Sequence, residues 1–210
     1  MSSPSPRASA AERLVLADPA FRDVVEATAP LPRRRPTPIA LRFAALVESI
    51  TYQMLAGSAA AAIHGRLVGL LDGEVSPALV AAAGVDRLRG AGLTRTKAVA
   101  MTELARATLE GRIRPERHGR LSDEEVIAEV TQVPGIGPWT GHMYLLFDLA
   151  RPDVWPTGDY GVRAGWSRIH GLDEPVPPRE LGTAGFPFAG YRSTVAWYCW
   201  RALESPGRAG

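Results

Sequence analysis

Thr131-Gln132-Val133-Pro134-Gly135-Ile136-Gly137-Pro138-Trp139-Thr140-Gly141 is the stretch from which the fold is read. Just upstream, Ser122-Asp123-Glu124-Glu125 places a glutamate three residues after a serine, the reciprocal pattern of a capping box, and predicts a helix to about Thr131. Val133 to Gly137 then sets a proline and two glycines in five residues, which stops any helix. Pro138 suits the first turn of a new helix, predicted to about Ala150. The product is helix, tight turn, helix. Unpaired backbone N–H groups at Gly135, Gly137 and the first turn of the second helix can donate to a phosphate, aided by the helix dipole. A purely structural helical hairpin would use the same residues, so the turn alone leaves both readings open.

The same helical signature recurs outward from the hairpin, with no convincing strand alternation. Asp18-Pro19 opens a helix to about Ala29, and Phe43, Leu46, Val47 and Ile50 mark one face of a helix from Ile39 to Leu55. Further helices are predicted from Ser58 to Leu71, briefly after Ser76-Pro77, and from Thr94 to about Glu110, the last with Met101, Leu104, Ala105 and Leu109 as its apolar stripe. Another begins near Asp159, and one covers Tyr191 to Leu203. The fold class is all-α.

Bulk composition bounds what such a chain can be. At 210 residues, 46% hydrophobic and 22% charged, it can bury a real core. No run approaches the roughly 20 apolar residues of a membrane span. The opening MSSPSPRASA has no apolar core, so it is no secretory signal and reads as a disordered tail over 1–17; residues 205–210 read likewise. Cytoplasmic residence is the default. The single cysteine, Cys199, excludes an internal disulfide framework and a four-cysteine iron–sulfur site. Net charge is only +2, and Lys97 is the one lysine among the 24 basic residues. Arginine permits bidentate phosphate contacts, but a GC-rich genome explains the same bias. The Arg33-Arg34-Arg35 connector touches phosphate or is simply solvated. The four histidines show no metal-ligand spacing.

Asp159 stands twenty residues past Trp139, within Trp155-Pro156-Thr157-Gly158-Asp159-Tyr160-Gly161. On position alone Asp159 is a helix N-cap. Taken together, the capped helix, Val-Pro-Gly-Ile-Gly, Trp-Thr and Pro-x-x-Asp-x-Gly resemble the helix-hairpin-helix–Gly/Pro–Asp superfamily of base-excision DNA glycosylases, and within it the 3-methyladenine DNA glycosylase II branch. Ile50-Thr51-Tyr52-Gln53-Met54, Gly92 to Lys97, and Tyr191-Arg192-Ser193 fall in the expected order, so the resemblance covers about 18–204.

The resemblance implies a two-lobed helical enzyme with its active site in the cleft between lobes, one lobe formed by 18–40 and 150–204 and the other by 41–149. It implies Asp159 as the catalytic carboxylate and damaged double-stranded DNA as the partner of a monomer. Met54 stands where the family places a wedge that fills the gap left by the everted nucleotide, and Gln53 beside it. Trp139 occupies the base-stacking position, with Met143, Phe188 and Tyr191 as further pocket candidates and His142 beside them. The DNA backbone would meet Gly135, Ile136, Gly137, Thr140 and Lys97, the last in a segment where the family places either a backbone or a structural contact. The carbonyls of Thr131, Val133 and Ile136 would hold a structural Na+ or K+. Bifunctional members carry a lysine where Trp139 stands, so the resemblance implies a monofunctional hydrolase without lyase activity and without an iron–sulfur cluster. It fits alkylated bases of the 3-methyladenine and 7-methylguanine type. A glycosylase for other damaged bases and a non-catalytic hairpin DNA-binding protein remain the alternatives.

Overall fold

The computed structural model describes residues 9–32, 34–55 and 57–204. Among them the secondary structure is helical throughout: α1 (Ala10–Ala17), α2 (Arg22–Ala27), α3 (Arg42–Tyr52), α4 (Gly57–Leu70), α5 (Pro77–Arg89), α6 (Arg95–Leu109), α7 (Asp123–Val130), α8 (Pro138–Met143), α9 (Tyr160–Ile169), α10 (Pro178–Ala184) and α11 (Arg192–Glu204). Short 3₁₀ turns link several of them, and α8 runs on into a π-helical turn at Tyr144–Asp148. No described helix is long and apolar enough to cross a membrane.

The helix starts follow from local chemistry. Thr94 caps α6 through the Lys97 N–H, and Ser122 and Glu125 form both halves of the capping box on α7. Ser9 and Glu12 do the same for α1, which corrects the expected disordered tail: the chain is helical from Ala10. The rest of that tail, residues 1–8, lies outside the described residues, as do 205–210 and Arg33 of the arginine cluster. The helix expected to be short after Ser76 extends to Arg89 but breaks at Gly84, whose φ of 67° leaves the helical region. Leu109, expected in the apolar stripe of α6, is exposed; Ala98, Met101, Leu104 and Ala105 carry the buried face.

The described chain divides into two compact units, one formed by the residues up to Arg34 and from Arg151, the other by Arg35–Ala150. The dividing points thus lie at 34/35 and 150/151 rather than at 40/41 and 149/150. In the second unit Leu46, Ile50, Leu67, Leu88, Met101, Leu104, Val130 and Leu145 form the core, with α5 packed along α6. Beneath them lies a polar network. His118 is fully buried, with Nδ1 3.2 Å from the Tyr144 hydroxyl and Nε2 3.0 Å from Glu129 Oε1.

Burial pushes the His118 pKa down, and this outweighs the upward pull of Glu129. A folded-state value below the unfolded one means the unfolded chain takes up the proton more readily. Stability is then full above the unfolded value, about 6.5, and declines as pH falls through it. Thermal unfolding followed by circular dichroism is expected to show a lower midpoint at pH 5 than at pH 7. His118→Gln should flatten that slope; an unchanged slope would remove His118 as its source.

In the first unit α9 lies against α11, and Leu14, Phe21, Val162, Leu181, Val195 and Tyr198 fill the core. Tyr191-Arg192-Ser193, a motif quoted for the family, is a structural tie here. Arg192 makes a bidentate pair with Asp153 at 2.7 Å on each arm. Ser193 Oγ donates to the Arg151 carbonyl at 2.7 Å and accepts from the Val154 N–H at 2.9 Å, so the start of α11 fixes the strand of loop leading to Asp159.

Candidate functional site

The hairpin between α7 and α8 is built as its sequence requires. Gly135 has φ of 89°, a region that favours glycine, and a Cβ there would sit 2.9 Å from Ala100 Cβ on α6. The turn therefore presses its backbone directly onto α6. Ile136 is buried beneath the turn while Pro134, Gly135 and Pro138 are exposed. Among the described residues neither the Gly135 nor the Gly137 N–H has a hydrogen-bond acceptor. Two donors without a partner among the described residues, next to the N-terminus of α8, leave an edge whose chemistry suits an anion. Thr140 lies under that edge, buried, its hydroxyl accepting from Gln53.

Directly after α3 the chain turns sharply at Gln53-Met54. Met54 takes φ of 55° and is 98% exposed. A left-handed, non-glycine residue costs about 1–3 kcal/mol and persists only where its surroundings hold it. Two neighbours do so. Lys97 Nζ donates to the Gln53 carbonyl at 2.6 Å and to the Thr51 carbonyl at 2.8 Å. Gln53 Nε2 donates to the Thr140 hydroxyl at 2.7 Å and to the Gly135 carbonyl at 3.2 Å. Lys97 is 8% exposed with its amine turned inward, so of the two expected roles, DNA-backbone contact or structural contact, its hydrogen bonds here are structural. Burial also lowers its pKa. Gln53, expected beside the gap, here grips the hairpin.

The first unit carries the carboxylate. Asp159 is the N-cap of α9 and is 8% exposed; Oδ1 accepts from the Val162 N–H at 2.7 Å and from Trp200 Nε1 at 2.9 Å. Gly161 makes room for that indole: a Cβ there would lie 2.8 Å from Trp200 Cδ1 and 3.1 Å from Asp159 Oδ1. The Asp-x-Gly spacing thus clears a path for a tryptophan from another helix. Sequence reasoning missed Trp200, because its partner lies 41 positions away and nothing local marks it. It also passed over Tyr160, which adjoins the carboxylate and is 68% exposed.

The aromatic candidates divide. Trp139 is half-buried on the first turn of α8. Phe188 is 3% exposed and sits edge-on to Phe21, Trp166 and Tyr191, so it is a core ring and not an open pocket wall. Tyr191 is buried as well, with the Arg13 guanidinium 4.5 Å above its ring. Met143 is likewise packed into the core of its own unit. His142 is half-buried beside it. No group of three or more histidine, cysteine, aspartate or glutamate side chains among the described residues could hold a metal ion.

No family model matches the chain. Over 162 residues it is 32% identical to DNA-3-methyladenine glycosylase 1 of Schizosaccharomyces pombe, spanning 76% of this chain and 71% of that protein. The solved structure of the Schizosaccharomyces pombe 3-methyladenine DNA glycosylase in complex with abasic DNA superposes with a TM-score of 0.85 at 28% identity, covering 93% of this chain and 97% of that one. A DNA-3-methyladenine glycosidase from Bacillus halodurans superposes at 0.76, also 28% identical, over 98% of this chain and 94% of the other. With the hairpin and the capping aspartate at the spacing described, the chain belongs to the DNA-3-methyladenine glycosylase II branch of the helix-hairpin-helix–Gly/Pro–Asp superfamily.

Proposed function

We propose that this chain is a monofunctional DNA glycosylase that hydrolyses the N-glycosidic bond of alkylated bases, of the 3-methyladenine and 7-methylguanine type, in base-excision repair. The observation that carries the proposal is Asp159, buried at the start of α9 with Oδ1 held by a backbone amide and an indole N–H in a chain 32% identical to a DNA-3-methyladenine glycosylase.

The target atom lies inside a duplex, so the nucleotide must leave the stack. The two free amides at Gly135 and Gly137 suit a phosphate, and the exposed Met54 suits the vacated gap. A base alkylated at N3 or N7 carries positive charge and is a competent leaving group. An exposed ring such as Tyr160, next to Asp159 in the chain, can stack on it, at about 0.5–2 kcal/mol per ring, and Trp139 is a further candidate. Asp159 then stabilises the oxocarbenium-like charge at C1′ and orients the attacking water. Lyase chemistry needs an amine nucleophile, and the amine of the one lysine is buried against two carbonyls. A monovalent cation on the carbonyls of Thr131, Val133 and Ile136 belongs to the same proposal. Val133 already accepts the Ile136 N–H at 3.0 Å and keeps a second lone pair, and oxygen donors suit Na+ or K+.

The test is release of methylated bases from alkylated duplex DNA under single-turnover conditions, with the product assayed for strand breaks. Free 3-methyladenine or 7-methylguanine, with breaks appearing only after alkali, is expected. Breaks without alkali would overturn the monofunctional reading, and DNA binding without base release would overturn the hydrolase for these lesions.

A further inference from the structure

One turn of α6 underlies both parts of the machinery on the second unit. Lys97 and Ala100, three residues apart, share a helix face. Ala100 meets the backbone of Gly135, and Lys97 holds the carbonyls of Thr51 and Gln53. Gln53 closes the circuit, because its carbonyl accepts from Lys97 while its side-chain amide reaches Gly135 and Thr140. The α3 C-terminus, whose last carbonyls would otherwise lack donors, is thereby capped by a side chain from another helix. The residue immediately following that cap is Met54, in a left-handed backbone conformation that is uncommon for a methionine.

We propose that Lys97 is a positioning residue for base eversion: its ammonium holds the Met54 turn in its left-handed form and, through Gln53, in fixed register with the phosphate-gripping hairpin. Wedge and hairpin then act as one rigid reader, so that a phosphate seated on the Gly135 and Gly137 amides sets where Met54 enters the stack. Lys97 touches no reacting atom. It acts by sparing the wedge the entropy of finding its own conformation at the moment of insertion. The inference rests on the reading of Met54 as the wedge.

The test compares the wild type, Lys97→Met, Met54→Ala and the double variant on a methylated duplex carrying 2-aminopurine beside the lesion. Circular dichroism confirms folding, fluorescence anisotropy on undamaged duplex reports the hairpin, and the rise of 2-aminopurine emission reports eversion. Lys97→Met is expected to bind undamaged DNA within about threefold of wild type, and to lose about tenfold or more of the eversion rate, on the scale of a lost preorganised contact. Because Lys97 acts through Met54, the double variant should evert no more slowly than Met54→Ala alone. Additive losses, or normal eversion in Lys97→Met alongside a defective Met54→Ala, would overturn the role of Lys97 while leaving the wedge intact. Normal eversion in Met54→Ala would overturn the wedge reading, and this inference with it. If Lys97→Met does not fold, Lys97→Gln replaces it, a polar side chain that lacks the ammonium and is too short to reach both carbonyls; wild-type eversion there overturns the proposal, and slowed eversion with undamaged-DNA binding retained supports it.

Discussion

Asp159→Asn is expected to lower single-turnover release of methylated bases by about 10²–10⁴-fold, the scale of one well-placed acid–base or electrostatic group. The substitution isolates charge from structure. Oδ1 accepts the Val162 N–H and the Trp200 indole N–H, and an asparagine oxygen can accept both, so the start of α9 and the indole should keep their places. Asp159→Ala would confuse the result. It removes an N-cap worth about 1 kcal/mol and takes an acceptor from the Trp200 indole, so lost activity could reflect a lost fold. The measurement is release from a methylated duplex at saturating enzyme, with anisotropy and thermal unfolding on the same preparation. Binding and unfolding midpoint should stay near wild type while release collapses. Release within about threefold of wild type would return Asp159 to the role of a helix cap, because electrostatic stabilisation at C1′ needs the full negative charge.

How much of this was legible in the sequence depends on the range over which each signal acts. Caps act within four residues, and Ser122 with Glu125, Thr94, and the hairpin's glycines were all readable. The same rule would have found α1, since Ser9 and Glu12 repeat the capping box; the prolines and serines ahead of them hid it. α10 went unseen because Pro177-Pro178 and the glycines at 182 and 185 look like loop, although Pro178 sits at its first turn, where proline is welcome. Long-range partners left no local mark. Nothing in Trp197-Tyr198-Cys199-Trp200 distinguishes the indole that reaches Asp159 from its neighbour Trp197, which donates to the Ala29 carbonyl. Lys97 was left between a DNA-backbone contact and a structural one for a related reason: only the fold reveals the two carbonyls that its amine meets. Phe188 and Tyr191 were drawn towards the pocket because they match an aromatic region of the family, whereas both are buried here.

Gly165→Ala is expected to destabilise the first unit by about 3 kcal/mol or more, at or beyond the upper end of ordinary overpacking. A Cβ at position 165 would lie 1.9 Å from the Cys199 carbonyl oxygen, 2.5 Å from its carbon and 2.9 Å from its Cα. All three atoms are backbone, so no rotamer change relieves the clash, and α9 and α11 must separate or bend. At roughly 2–4 °C per kcal/mol for a chain of this length, the unfolding midpoint should fall by about 6–12 °C. Gly69→Ala is the matched control. Position 69 lies in α4 with nothing within 4 Å of an added Cβ, so replacing glycine in a helix should stabilise by about 0.4–1 kcal/mol. The effect at 165 also reaches the chemistry. Trp200 follows Cys199 directly, so a displaced α11 carries the indole away from Asp159 Oδ1, and base release should fall further than the loss of folded protein explains. Thermal unfolding and single-turnover release, measured well below the new midpoint, separate the two consequences. An unchanged midpoint would mean that the two helices do not cross as closely as 1.9 Å requires, while a lowered midpoint with wild-type release would show that Asp159 keeps its place without the indole.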